Sequence, residues 1–164
     1  MIEELLKATI ETLYMTFFST LIAFMAGLPL GILLYLLSKK KDHASKIIYT
    51  FFDFIINIFR SIPFIILIIL LIPLTKLIAG TIIGANSAIV SLSIAAIPFM
   101  ARLCENSFNS LSHEMLDTAS SMGMTTWQLI TKVLIPESLP EIISNTTVLI
   151  INLITYTAIA GAVG

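Results

Sequence analysis

The chain has 164 residues, of which 57% are hydrophobic and 12% charged, about half the charged share of a soluble domain; its mean hydropathy is +1.01. A soluble domain of this size has too much surface for its volume to hide that much apolar area, so lipid must solvate a large part of it. The net charge of −1 excludes a general basic field for nucleic acid, and the single cysteine, Cys104, excludes an intrachain disulfide.

The first residues carry Glu3, Glu4 and Glu11 against Lys7, and the apolar run behind them is too long for a signal peptide. The run reads as a retained span, about 13–37. Gly27, Pro29 and Gly31 lie inside it and are expected to bend or loosen it, which neighbouring helices tolerate in a membrane. A second span is expected within 47–72. It contains two charges, Asp53 and Arg60. They lie two helical turns apart on one face, about 10 Å, and read first as a structural ion contact or headgroup anchor and second as a transport feature. A third span is expected at about 80–103, with Gly80 and Gly84 near its start and Pro98 near its end, and a fourth at about 142–162. Cys104 reads as apolar filler, and Met100 as filler first and a gate candidate second.

Lysines orient these spans. Lys39, Lys40, Lys41 and Lys46 cluster between the first two spans, whereas Lys76 stands alone between the next two. The positive-inside rule places the N-terminus outside, with the first loop and the 102–141 loop in the cytoplasm.

The cytoplasmic loop, 105–141, is long for a connection in a bundle and is expected to carry structure. A first helix is expected from about Ser112 to Met122, with Ser112 as N-cap. Gly123 follows where a terminating residue needs positive φ. Thr125 and Gln128 have capping-box spacing, with Met124 and Leu129 as a hydrophobic staple. The second helix continues through Trp127, Ile130 and Val133 and is expected to end before Pro136. Pro140 then introduces the fourth span. Thr118, Ala119, Ser120 and Ser121 are small enough to let another protein approach, although an amphipathic pair lying on the membrane remains open. A DNA-binding helix–turn–helix has similar spacing. It needs several basic phosphate contacts, and acids outnumber bases here.

The run Asp117-Thr118-Ala119, then Gly123, then Val133-Leu134-Ile135-Pro136 resembles the EAA loop of ABC importer permeases. The spacing matches; Asp117, Thr118, Val133 and Ile135 replace Glu, Ala, Ile and Leu of the pattern. Asn57-Ile58-Phe59-Arg60-Ser61-Ile62-Pro63, Ala96-Ile97-Pro98-Phe99, Ala101-Arg102, Glu105-Asn106 and Ala160 to Gly164 resemble the methionine-importer permeases. The resemblance covers 1–164 as a single permease domain. It implies an all-α polytopic bundle of the type I ABC importer permease fold, with cytoplasmic coupling helices, in a bacterial plasma membrane. It also implies a homodimer, two cytoplasmic ATPase subunits and an external solute-binding lipoprotein. Asp117, Thr118, Ala119, Met122, Gly123, Trp127 and Pro136 would dock the ATPase. Family members carry a fifth span, so the chain is expected to be truncated.

No catalytic or metal-binding constellation is expected. The glycines form no phosphate loop, and His43 and His113 are far apart. ATP and Mg belong to the partner ATPase, and no cofactor is expected on this chain. Asn145, Thr146, Asn152 and Tyr156 of the fourth span are translocation-pathway candidates, with helix packing the competing reading. The solute is expected to be D- or L-methionine or, failing that, another amino acid or small solute. A membrane scaffold without transport is the remaining alternative.

Overall fold

The computed structural model describes the backbone of residues 1–163, and the side chains except those of 113, 120, 162 and 163. The expected roles of Ser120 and of the closing Ala162 to Gly164 therefore lie outside the described residues. Seven α-helices follow one another, with no strand among the described residues.

Helix α1 (Ile2–Lys39) begins well before the apolar run and continues through Pro29 as one element. Glu3 and Glu4 in its first turn and Lys39 in its last complement the helix dipole. Gly27 and Gly31 do not loosen it; they are the contact surface against α4 (Ala85–Asn109). A Cβ on Gly27 would lie 2.7 Å from Met100 Cβ, and one on Gly31 would lie 2.7 Å from the Ala101 carbonyl oxygen. Between lipid-soluble helices there is little hydrophobic drive to associate, so close backbone approach through small residues supplies the van der Waals attraction. One turn further along the same stripe, the rings of Tyr35 and Phe108 meet edge to face at 5.7 Å.

The expected second span is two helices, α2 (His43–Ser61) and α3 (Phe64–Ala79), bent by 114°. Pro63 is the cause. A residue before proline is disfavoured in helical geometry, and Ile62 is extended, at φ −79 and ψ 126. Hydropathy runs through the break without a signal, because Ile62 and Phe64 are as apolar as their neighbours. At the far end, Gly80 takes the left-handed cap at φ 74, and its N–H donates to the Lys76 carbonyl.

The last helix also departs from expectation. The helix opened by Thr125 does not end before Pro136. Helix α6 (Thr126–Leu129) passes into a π turn over Ile130–Leu134 and directly into α7 (Ile135–Val163). The Ile135 N–H reaches back five residues to the Ile130 carbonyl. This widened turn accommodates a proline, which has no N–H to give and whose ring clashes with a normally placed carbonyl.

Among the described residues three helices are long and apolar enough to cross a membrane, or four if the bent α2–α3 pair is one span. Helix α4 is the axis of the packing. Met100, Cys104 and Phe108 on it are fully buried together with Leu134, Ile142, Leu149 and Leu153 of the following segment. Ile10, Phe17, Met25, Phe54, Ile69 and Ile151 remain exposed, as expected of surface that meets lipid or another subunit.

Candidate functional site

Helix α5 (His113–Ser121) and α6 form a projecting knob between α4 and α7. The Ser112 hydroxyl accepts the Met115 N–H at 3.3 Å, which starts α5. Its end is closed over Gly123: the Met122 N–H donates to the Thr118 carbonyl at 3.0 Å and the Met124 N–H to the Ala119 carbonyl at 3.4 Å. Gly123 sits at φ 71, the left-handed value that such a closure requires. Thr125 and Gln128 then form the expected reciprocal capping box. The Gln128 N–H donates to the Thr125 hydroxyl at 3.3 Å and the Thr125 N–H to Gln128 Oε1 at 2.9 Å. Two capped helices with one special glycine between them make a stiff unit.

The knob presents two large apolar side chains outward. Met122 is 71% exposed and Trp127 is 73% exposed. Asp117, Thr118 and Gly123 on the same knob are exposed, as is Pro136 at the start of α7. Ala119 is different. It is 3% exposed and faces the chain's own core, so its small size serves packing within the subunit and not the approach of another protein. Exposed aromatic and methionine side chains on a rigid surface are features of protein contact sites.

The fourth-span candidates divide. Asn145 is interhelical glue: its amide donates to Ser107 Oγ at 2.9 Å and to the Leu103 carbonyl at 3.5 Å. Ser138 adds a bond to the Ser107 carbonyl at 3.3 Å. The Thr146 hydroxyl returns to the Ile142 carbonyl of its own helix at 2.7 Å, and Asn152 is half-buried. Tyr156 is the candidate that borders a cavity. Its ring stacks on Phe64 at 4.1 Å, beside a space of about 170 Å³ at the α2–α3 break.

A charge cluster that the spans concealed joins α2 to α4. The Arg102 guanidinium pairs with Asp53 of α2 and, at 2.6 Å, with Glu105 one turn along its own helix. The Tyr49 hydroxyl donates to Glu105 Oε1 at 3.0 Å. Glu105 is 2% exposed. The signal that could have found it is the Arg102–Glu105 spacing of three residues, which is a helix-face pair inside an otherwise apolar stretch.

Several helices of spanning length around a close-packed axis, a broken span and a capped knob between two spans define a polytopic helical membrane subunit. Residues 27–164 match the family described as binding-protein-dependent transport system inner membrane component, and the chain belongs to that family. It is 46% identical over 157 residues to the probable D-methionine transport system permease protein MetI of Pasteurella multocida (strain Pm70), covering 96% of this chain and 72% of that one. The D-methionine transport system permease protein MetI of Escherichia coli (strain K12) is 43% identical over 157 residues, with the same coverage of 96% and 72%. Among solved structures, an inward-facing conformation of the MetNI methionine ABC transporter superposes with a TM-score of 0.92 at 43% identity, covering 98% of this chain and 74% of that one. A crystal structure of an amino acid ABC transporter superposes with a TM-score of 0.70 at 22% identity, which speaks for the fold alone.

Proposed function

We propose that this chain is the permease subunit of an ATP-driven importer of methionine. It would work as a homodimer in a bacterial inner membrane, served by two cytoplasmic ATPase subunits and an external solute-binding lipoprotein. The observation that carries the reading is the rigid α5–Gly123–α6 knob with Met122 and Trp127 exposed at its tip. The relatives named for D-methionine transport support the solute. The lysine cluster at 39–46 supports a cytoplasmic position for that loop and for the knob, with the N-terminus outside.

The mechanism follows from stiffness. ATP binding closes the two ATPases, each knob moves with the groove that holds it, and α4 and α7 move with the knob they flank. The ATPase thereby biases a two-state equilibrium between inward-facing and outward-facing arrangements. This chain supplies the path and the lever; the nucleotide chemistry is the partner's.

Met122→Asp and Trp127→Asp test the lever, because both side chains are exposed and their replacement is expected to leave the permease fold intact. The expected result is a normally inserted permease that no longer co-purifies with its ATPase and no longer drives uptake of labelled methionine into right-side-out vesicles loaded with ATP. Retained co-purification and uptake would refute the docking role. Uptake of a different amino acid in place of methionine would refute the solute alone.

A further inference from the structure

Arg60 stands in the last turn of α2, and no carboxylate pairs with it among the described residues. Asp53, the acid on its own helix, is already engaged by Arg102 and by the Asn57 amide at 3.0 Å. Arg60 lies instead over the ring of Phe99, 5.8 Å from its centroid. It also lines the cavity of about 170 Å³ at the α2–α3 break, together with Phe64, Phe99, Leu149 and Tyr156.

The depth of this cavity gives the arginine its meaning. Phe99 lies near the middle of α4 and Leu149 at the middle of α7. Arg60, which is exposed on this single subunit, therefore holds its positive charge at a level within the spanning helices and not beyond their ends. Ionisable groups at that depth are costly and face partners or solute pathways. Broken spans at the mid-plane are where transporters build binding sites. A guanidinium offers a planar pair of donors matched to a carboxylate. Aromatic rings beside it suit a flexible apolar or thioether side chain.

We propose that Arg60 receives the carboxylate of the transported amino acid within the membrane, at the α2–α3 break, with Phe99 and Tyr156 holding its side chain. This rests on the reading of the chain as an amino-acid importer, but names a site that does not depend on docking of the external binding protein.

The test is equilibrium binding of labelled methionine to the detergent-solubilised permease–ATPase complex without the binding protein. Arg60→Met is expected to weaken binding about tenfold or more, the order of a lost charge-assisted pair. Arg60→Lys, which retains charge without the planar fork, is expected to weaken it less. Methioninamide, which lacks the carboxylate, is expected to compete at least about tenfold less well than methionine on the unaltered complex. Equal binding by Arg60→Met, equal competition by methioninamide, or no amino acid retained by the unaltered complex would each overturn the proposal. Co-elution of the ATPase reports assembly of each variant; if Arg60→Met does not assemble, the methioninamide competition decides. Retention of another amino acid in an Arg60-dependent manner would support this site while refuting methionine as the solute. Vesicle uptake of methionine that is indifferent to Arg60→Met would leave the importer reading standing and remove this one.

Discussion

Asp53 of α2 takes its counter-ion from Arg102 of α4, not from Arg60 on its own helix face. Arg102 is 12% exposed at the side chain and also holds Glu105, which is 2% exposed. Helices α2 and α4 are thereby tied by three charges and the Tyr49 hydroxyl. Removing the one cation strands a buried carboxylate, whereas neutralising a carboxylate leaves hydrogen-bond partners in place. Arg102→Met should therefore destabilise the subunit by about 3–5 kcal/mol. Glu105→Gln should cost less, since an amide still accepts from Tyr49. Thermal unfolding in detergent measures both; an unaltered midpoint for Arg102→Met would mean the cluster contributes nothing to stability.

Gly31 meets α4 more tightly than any side chain would allow. A Cβ there would lie 2.6 Å from Cys104 Cβ and 2.7 Å from the Ala101 carbonyl oxygen. Neither atom can rotate away, so α1 and α4 must separate. Gly31→Ala is expected to destabilise by about 1–3 kcal/mol, the usual range for overpacking. Cys104→Ala keeps its Cβ and should not rescue it. A Gly31→Ala protein that unfolds like the parent would refute the close-contact account.

Much of this was legible in the residues, and the failures share a cause. Apolar length gave the spans, and local chemistry gave the knob: Gly123, Thr125 and Gln128 act within a few residues of one another. The break at Ile62 was signalled by Pro63, yet hydropathy averages across it. The π turn at Ile130–Leu134 has no compositional mark, so Pro136 read as a stop. The four-residue spacing of Gly27 and Gly31 reads equally as weakness or as a packing face, and only the presence of Met100 and Cys104 opposite decides. The Asp53–Arg102 pair spans 49 positions, which no local pattern encodes. Ala119 shows the same limit, because small size does not say which side of α5 it serves.

Gly123 carries the knob's geometry through its backbone alone. Its φ is 71, and an added Cβ would meet nothing within 4 Å. Gly123→Ala therefore introduces conformational strain without a clash, about 1–2 kcal/mol for a left-handed residue. The strain falls on an exposed turn, so the expected effect is loosening of α5 against α6 with the spans intact. Ala119→Arg should do more damage, because that side chain is buried against the subunit's own core. Hydrogen exchange over 113–129 reads the difference: faster exchange confined to the knob in Gly123→Ala, spreading into α7 in Ala119→Arg. Unchanged exchange in Gly123→Ala would show that the turn does not need glycine.

Asp42 ties the start of α2 to pH. Its carboxylate accepts the Ser45 N–H at 2.9 Å as the N-cap. That backbone bond, helped by the Ser45 side chain, holds the Asp42 pKa below its ordinary value. The folded state thus binds a proton more weakly than the unfolded chain does. The contribution of the cap is full above the unfolded pKa of about 4 and is lost as pH falls through the lower folded value. The first turn of α2 should therefore fray in acid while its remainder holds. Asp42→Asn keeps an acceptor without the titration, so the fraying should lose its pH dependence; Asp42→Ala should fray at every pH. Amide exchange of residues 45–47 between about pH 2 and 7, corrected for intrinsic rates, reads this directly. Protection that is flat with pH in the unaltered chain would mean that water replaces the cap as well as the carboxylate makes it.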